Sequence, residues 1–245
     1  MKKLKSLTIF FPFFNDEGTV KKAIKDAYFY GKKVANKLEV IAIHGGRSKD
    51  NTLNEIKKQK NKHLDLIIIN KIKNKEGYAV IKHGFKRALG EWIFYTDGDL
   101  QYNLKDIIRL VKTQEKTGAD VINGYKVKRA DNILRDFLGY PYQVLSRHVF
   151  KLPIRDLTCD FRLIRNKLIK KIFLKAKDAS ILTELILKLK STDAKFAEIP
   201  VLHKKRSYGE SNYNLFTLFQ ERVLGDLKTF FLIRKKLYNK SHENH

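Results

Sequence analysis

The sequence predicts an α/β fold, a mainly parallel sheet flanked by helices, on three observations. Short apolar runs alternate with stretches of helical periodicity through roughly the first half of the chain. Polar or acidic, turn-forming loops follow the first four of those runs. With 43% hydrophobic residues among 245, the chain can build one sizeable core, or one core with a small appendage.

Taken in order, Leu7 to Phe11 reads as the first strand, and Val20, Ala23, Ile24, Ala27 and Tyr28 repeat at helical spacing behind it. LEVIAI (38–43) is the second strand, followed by a helix from about Lys49 with Ser48 as its N-cap. LDLIII (64–69) is the third strand, and Val80, Ile81, Gly84, Phe85, Ala88 and Leu89 form the next helical stripe. WIFYT (92–96) is the fourth strand, Ile107, Ile108 and Val111 share a helix face, and ADVING (119–124) is the fifth strand. The rhythm then loosens into a long helix at about 133–150, a strand at CDFRLI (159–164), a helix at 180–190 and a strand in KFAEIPVLH (195–203). No repeat or low-complexity linker intervenes, so residues 1–214 are expected to form one domain. Residues 215–245 read as an amphipathic, basic C-terminal tail, with Leu215, Phe219, Val223, Leu227 and Phe230 on one stripe. Two readings of that tail stand: a helix packed on the domain, or one lying on an acidic lipid surface.

Lys and Arg number 51 against 26 Asp and Glu, a formal charge of +25. Part of that surplus is solvated lysine on helix faces; the rest calls for an anionic partner, whether nucleic acid, acidic membrane or phosphorylated substrate. No helix-turn-helix, zinc-finger or RNA-binding aromatic pattern occurs, and no nucleic acid is expected. The one cysteine, Cys159, excludes an internal disulfide and fits a reducing compartment. The opening MKKLKSLTIFFPFF meets acidic residues without a small-residue cleavage site, and no apolar run reaches the ~18 residues a membrane span needs. The expectation is a cytoplasmic protein, peripheral at the cytoplasmic membrane face.

In open α/β sheets, ligands bind beyond the carboxyl ends of the strands. FFNDEG, HGGRSKDNT, NKEGYA and DGDLQ follow strands one to four and therefore fall on one edge. At their centre, Asp97-Gly98-Asp99 offers two carboxylates across one glycine, and Gln101 an amide oxygen. Such oxygens suit a hard divalent cation that keeps bonds to substrate phosphates and offsets charge on a departing diphosphate.

These residues carry a resemblance. PFFNDE (12–17), NKEGYAVIKHGFKRALGEWIFYTDGDLQ (74–101), DLTCDFRLIR (156–165), ILTELILKLK (181–190) and IPVLHKKRSYGESNYN (199–214) resemble family 2 glycosyltransferases of the GT-A, Rossmann-like fold. The dolichol-phosphate mannosyltransferases and other polyprenyl-phosphate sugar synthases are the nearest pattern, over about residues 6–214. The resemblance implies a metal-dependent, inverting transfer of a sugar from a nucleotide-sugar donor to a polyprenyl phosphate at an anionic membrane surface. It implies donor contacts from Pro12, Phe14, Asn15, Glu17, Gly46, Asn74, Gly77, Asp97 and Gly98. It implies Mg²⁺ or Mn²⁺ held by Asp97, Asp99 and Gln101, and catalytic roles for Asp97, Asp99, Asp160 and Arg162. Acceptor-phosphate contacts fall to Arg135, Arg147, Arg162, Arg206 and Ser211, and the α-helical ILTELILKLK carries an acceptor-side glutamate. A lipid phosphate is already anionic and needs cations rather than a base; a glycan or protein hydroxyl acceptor is the alternative, with Asp156 or Asp160 as base. The sequence departs from the family pattern twice. Asp160 stands where the family has glycine, and His44-Gly45-Gly46-Arg47-Ser48 lacks the usual base-reading aspartate. Asp50, in the part of that loop that survives, is expected to brace the following helix, and Cys159, His83, His148 and His203 to be structural or surface residues, with His203 a secondary candidate for phosphate.

Overall fold

A computed structural model of the chain describes residues 1–46, 48–71, 77–129, 144–209 and 223–233. Among the described residues seven strands form one sheet: β1 (Leu4–Phe13), β2 (Ala35–His44), β3 (Ile67–Asn70), β4 (Trp92–Thr96), β5 (Val121–Arg129), β6 (Phe161–Arg165) and β7 (Phe196–His203). Their order is β3-β2-β1-β4-β6-β5-β7. The β1–β2, β2–β3, β1–β4 and β5–β7 pairs are parallel, and β6 is antiparallel to both of its neighbours. The expected mainly parallel α/β sheet is therefore present.

Helices α1 (Glu17–Val34), α2 (Thr52–Lys62), α3 (Ile81–Arg87) and α4 (Ile107–Thr117) are the crossovers of the first half. Residues 144–149 form α5, Asn166–Ile169 the single turn α6, Ile181–Lys190 α7 and residues 223–233 α8. Strand β1 shows why its sequence reads as an unbroken apolar run. Leu7, Ile9, Phe11 and Phe13 enter one core layer with α1 and α4, while Phe10 enters the other with Ile41, Ile43, α3 and α7. Phe150, Leu152, Ile154 and Leu157 form a smaller cluster under Ile186 and Leu187 of α7, flanked by Phe230 and Ile233 of α8.

Three local expectations change, and a fourth is described only in part. Helix α2 begins at Thr52 after Asn51, so Ser48 is not its cap; the Ser48 hydroxyl instead meets Asn15 N and His44 Nε2. Strand β3 starts at Ile67, because Leu64 lies 81% exposed in a preceding turn held by Lys60 Nζ on the Leu64 and Leu66 carbonyls. Leu89 leaves the apolar stripe, exposed, because α3 has ended at Arg87. Of the long helix expected at 133–150, residues 144–149 are helical and 130–143 lie outside the described residues.

The direction of β6 matters most for function. Thr96, the last residue of β4, pairs with Phe161, the first of β6. An antiparallel strand starts where its neighbour stops, so Asp160 is delivered beside Asp97. Strand β7 runs with β5 and, across β6, in the sense of β4, so the segment after His203 leaves the sheet at the same edge.

Candidate active site

The loops after β1 and β2 are laced together by side chains. Asp50 accepts Glu17 N at 3.0 Å, and Glu17 Oε2 accepts Asn51 N at 2.6 Å, so each carboxylate serves the start of the other loop's helix. Asn15, at φ 56°, accepts Lys49 N at 2.7 Å. Asp50 also receives Thr52 N and Oγ1, as expected for a brace. Glu17 and Asn15, expected at the donor, thus spend these bonds positioning the loops. Pro12 and Phe14 beside them are half-buried, Gly46 is buried and Gly77 exposed. His44 bridges Asn70 Oδ1 and Ser48 Oγ, both at 3.0 Å, and is 2% exposed. Asn74, Arg135 and Ser211, like Arg47, lie outside the described residues.

Asp16, passed over in the sequence, is buried in this lacing. Its Oδ2 accepts Phe14 N at 2.9 Å and its backbone N–H donates to Thr52 Oγ1, but Oδ1 finds no hydrogen-bond partner among the described residues. Burial pushes its carboxyl up to about 6; the Phe14 N–H and Arg206 oppose this, and Asp99 and Asp50 add to it. The signal was available: an acidic residue inside the very motif that carried the resemblance.

Between the two central aspartates, Gly98 has a packing reason. A Cβ there would run into the Phe13 ring, so the Asp-Gly-Asp turn lies flat on the end of β1. Asp97 is half-buried and accepts the Tyr78 hydroxyl at 2.9 Å. Its carboxyl lies well above the ordinary range, through burial first and then through Asp160 and Asp99. Tyr78 follows Gly77 directly and went unremarked in the sequence. Asp99, 4% exposed, accepts Gln101 N at 3.1 Å on Oδ1 and Arg206 Nη2 at 2.9 Å on Oδ2. The Gln101 side chain donates to Lys204 O at 2.9 Å, tying it to the segment after β7.

Arg162 is an interior residue. It is fully buried, with Nη1 on the Tyr95 hydroxyl, Nε on Asn123 Oδ1 and Nη2 on Leu157 O. Register sets this up, because Tyr95 and Asn123 flank Arg162 on the two neighbouring strands. Asp160 lies 3.7 Å from Nη1 and Tyr95 Oη 3.5 Å from Asp160 Oδ1. A guanidinium so enclosed holds Asp160 and Tyr95 in place and presents no face to an acceptor phosphate. Asp156 is likewise internal, accepting Lys126 N and Thr158 N and Oγ1, with Lys126 Nζ at 3.4 Å. The α7 glutamate, Glu184, accepts Lys175 N, Ala176 N and Lys188 Nζ, fastening the loop before its own helix. Arg147 is exposed on α5. Cys159 is buried, its thiol pushed up to about 12 by that burial, which suits a structural residue.

Four carboxylates, Asp16, Asp97, Asp99 and Asp160, thus crowd one edge of a strongly basic protein. Among the described residues no group of three or more His, Cys, Asp or Glu side chains is arranged to hold a metal by itself. Asp97 and Asp99 fit a divalent cation that takes its remaining oxygens from substrate, the habit of Mg²⁺. Asp97 is lifted by burial first and then by the neighbouring Asp160 and Asp99 carboxylates, and that crowding of negative charge is the local argument for such a cation.

The architecture is a single α/β sheet with a core on each face, an antiparallel sixth strand and an acidic turn after the fourth. The profile of Glycosyl transferase family 2 matches residues 8–173, well over half of the chain, and the protein belongs to that family and is a glycosyltransferase. Over 229 residues it is 25% identical to the undecaprenyl-phosphate 4-deoxy-4-formamido-L-arabinose transferase of Pectobacterium atrosepticum, covering 92% of this chain and 67% of that one. It is 24% identical to the dodecaprenyl-phosphate galacturonate synthase of Rhizobium johnstonii, covering 94% of this chain and 68% of that one. In structure it resembles glucosyl-3-phosphoglycerate synthase from Mycobacterium tuberculosis, solved with Mn²⁺, UDP-glucose and phosphoglyceric acid. That likeness has a TM-score of 0.65 at 13% identity and covers 92% of this chain and 80% of the other, which establishes the GT-A fold. The same enzyme solved with Mg²⁺ and UDP gives a TM-score of 0.66 at 12% identity, covering 92% and 79%.

Proposed function

We propose that the protein transfers a sugar, with inversion, from a nucleotide-sugar donor to a polyprenyl phosphate at a membrane surface. The observation that carries this is the convergence of Asp97, Asp99 and Arg206 at one sheet edge. Names of relatives that act on polyprenyl phosphates agree with it over more than nine-tenths of the chain. Asp97 and Asp99 would hold Mg²⁺ or Mn²⁺, which when bound supplies positive charge to the leaving diphosphate. The laced loops after β1 and β2 make the donor's floor, and Tyr78 fixes the Asp97 carboxylate. In the transfer, the bond from the anomeric carbon to the diphosphate breaks as the bond to an acceptor phosphate oxygen forms. Such an oxygen is already anionic, so the protein's task is to offset repulsion between phosphates, and Arg206 and the exposed Arg147 suit it. The departing nucleoside diphosphate carries the electron pair.

The membrane-facing part of the proposal rests on α8 and α5. Leu224, Leu227, Phe231 and Leu232 of α8 are exposed, as are Leu145 and Val149 of α5, and the Phe230 and Phe150 rings join the two helices at 4.8 Å. No helix among the described residues is long and apolar enough to cross a membrane. A second reading, a glycan or protein hydroxyl acceptor, draws support from Asp160, a carboxylate where the family pattern has glycine and close enough to Asp97 to raise its pKa. One experiment separates them: nucleotide sugars with Mg²⁺ or Mn²⁺, offered polyprenyl phosphate, the corresponding polyprenol, a glycan, or no acceptor. Release of nucleoside diphosphate that depends on the lipid phosphate supports the proposal; release with the alcohol or with a glycan alone rejects it.

A further inference from the structure

Arg206 stands in an unexpected place. Expected on the acceptor side, it instead closes on Asp99, one of the two carboxylates suited to the cation. Its Nη2 occupies Asp99 Oδ2, and Asp99 is nearly buried, so the pair is no ordinary surface ion pair; a carboxylate withdrawn from water needs a countercharge. The segment bearing Arg206 is strapped across the site at three further points. Lys204 N donates to Gln101 O at 2.8 Å while Gln101 Nε2 returns a bond to Lys204 O. The Tyr208 ring lies on Gly18 in the first turn of α1, where any Cβ would collide with it. Gly209, at φ 69°, comes against Asn15 O, 3.2 Å from where its own Cβ would stand. Residues 204–209 therefore touch the loops after both β1 and β4.

We infer that Arg206 is a resident substitute for the divalent cation, and that it leaves Asp99 for the acceptor side when the cation takes that carboxylate. The inference rests on the proposed metal site and adds a coupling between its two halves. One oxygen cannot serve a guanidinium and a divalent ion in the same position, so the two compete. Because the Lys204–Gln101 anchor joins the strap to the β4 loop two residues before Arg206, the arginine can swing without undoing the sheet. A charge freed in this way becomes available to an acceptor phosphate only after the donor side is loaded. That enforces an order: cation and donor first, acceptor second.

The test is Mn²⁺ binding to the intact protein without donor, by calorimetry or by loss of the free-ion paramagnetic signal. Arg206→Gln removes the competitor and is expected to bind Mn²⁺ five- to tenfold tighter. Lys205→Gln removes the same charge from the same strap without the Asp99 contact, and is expected to change affinity less than twofold. Gly18→Ala alters no charge but unseats Tyr208, and is expected to tighten Mn²⁺ two- to threefold, with thermal melting to confirm that it folds. Equal effects of Arg206→Gln and Lys205→Gln overturn the inference, since general electrostatics then accounts for both. Asp99→Ala distinguishes the underlying reading: if it binds Mn²⁺ as the wild type does, the metal site itself is misplaced. If it abolishes binding while Arg206→Gln matches the wild type, only the coupling is lost.

Discussion

The half of the molecule proposed to hold the donor, β1 to β4 with the loops behind them, and the half proposed to hold the acceptor, β5 to β7 with α7 and α8, use their charged residues in opposite ways. In the donor half the carboxylates gather at the edge, and their neighbours hold the loops still: Asp50 and Glu17 serve each other's helices, Asn15 and Ser48 tie the loops, and Tyr78 grips Asp97. In the other half, Arg147 aside, the described charges that looked functional are engaged within the protein. Arg162 is sealed beneath Asp160, Asp156 braces a turn, Glu184 fastens a loop, and Arg206 reaches across into the donor half. A motif residue marks where a constellation is built, and burial decides whether that residue touches the ligand or holds one that does.

The sharpest way to break this comparison is Arg162→Ala. Removing it leaves Asp160 without its guanidinium and leaves Asn123 Oδ1, the Tyr95 hydroxyl and Leu157 O short of a partner. Loss of one member of such a buried charged network costs about 3–5 kcal/mol. Urea unfolding should show a free energy, midpoint times slope, lowered by that amount. A variant of unchanged stability that lost acceptor phosphate use alone would return Arg162 to the role expected from sequence.

Next in size, Asp99→Ala should cut nucleoside diphosphate release by roughly 10²–10³-fold, as when a preorganised charge-stabilising group is removed. Residual activity that persists in chelator would move the chemistry away from the β4 turn. In the wild type, chelation of the divalent ion should act on the same step and to a similar extent.

Asp16 gives the donor half a signature in pH. Its folded carboxyl sits at about 6 against 3.8 for the unperturbed group, so between those values the folded chain binds more protons than the unfolded one. Stability from this group is therefore full below about pH 4 and falls as pH rises through about 6. Asp97, raised in the same direction, adds to the fall. Asp16→Asn should flatten part of that slope and raise stability at pH 7 by up to about 3 kcal/mol, read from unfolding curves at pH 4 and pH 7. An unchanged slope would mean that Asp16 stays ionised in the fold.

The fold was legible because both of its periods are written plainly: β1 and β4 are unbroken apolar runs buried on two faces, and α1 repeats Val20, Ala23, Ile24, Ala27 and Tyr28 against the sheet. The edge that carries Asp97 and Asp99 followed from strand order alone. What could not be read was direction and depth. Nothing in CDFRLI announces an antiparallel strand, yet that reversal is what brings Asp160 to Asp97. Nor does the sequence of FRLIR distinguish an arginine facing the acceptor from one enclosed between Tyr95 and Asn123, since that depends on the register of residues 39 and 67 positions away in sequence. The tail was legible as amphipathic but not in its rotation. Leu227, placed on one stripe with Val223 and Phe230, faces outward, while Asp226 is buried on Thr183 Oγ1 at 2.6 Å.

That rotation supplies the smallest and most selective prediction. Helix α8 has an inner face, Asp226, Phe230 and Ile233, and an outer one, Leu224, Leu227 and Phe231, at positions i, i+3 and i+7. Leu224→Ser with Phe231→Ser alters only exposed side chains, so stability should stay within about 0.5 kcal/mol of wild type. If the outer face enters an anionic bilayer, losing a leucine and a phenylalanine from that contact should weaken cosedimentation with acidic vesicles about tenfold. Phe230→Ala should do the reverse, lowering the unfolding midpoint through the lost Phe150 contact while a folded population still pellets. Equal pelleting of wild type and the double serine variant would detach the outer face of α8 from the membrane and leave the helix as a packing element of the acceptor half.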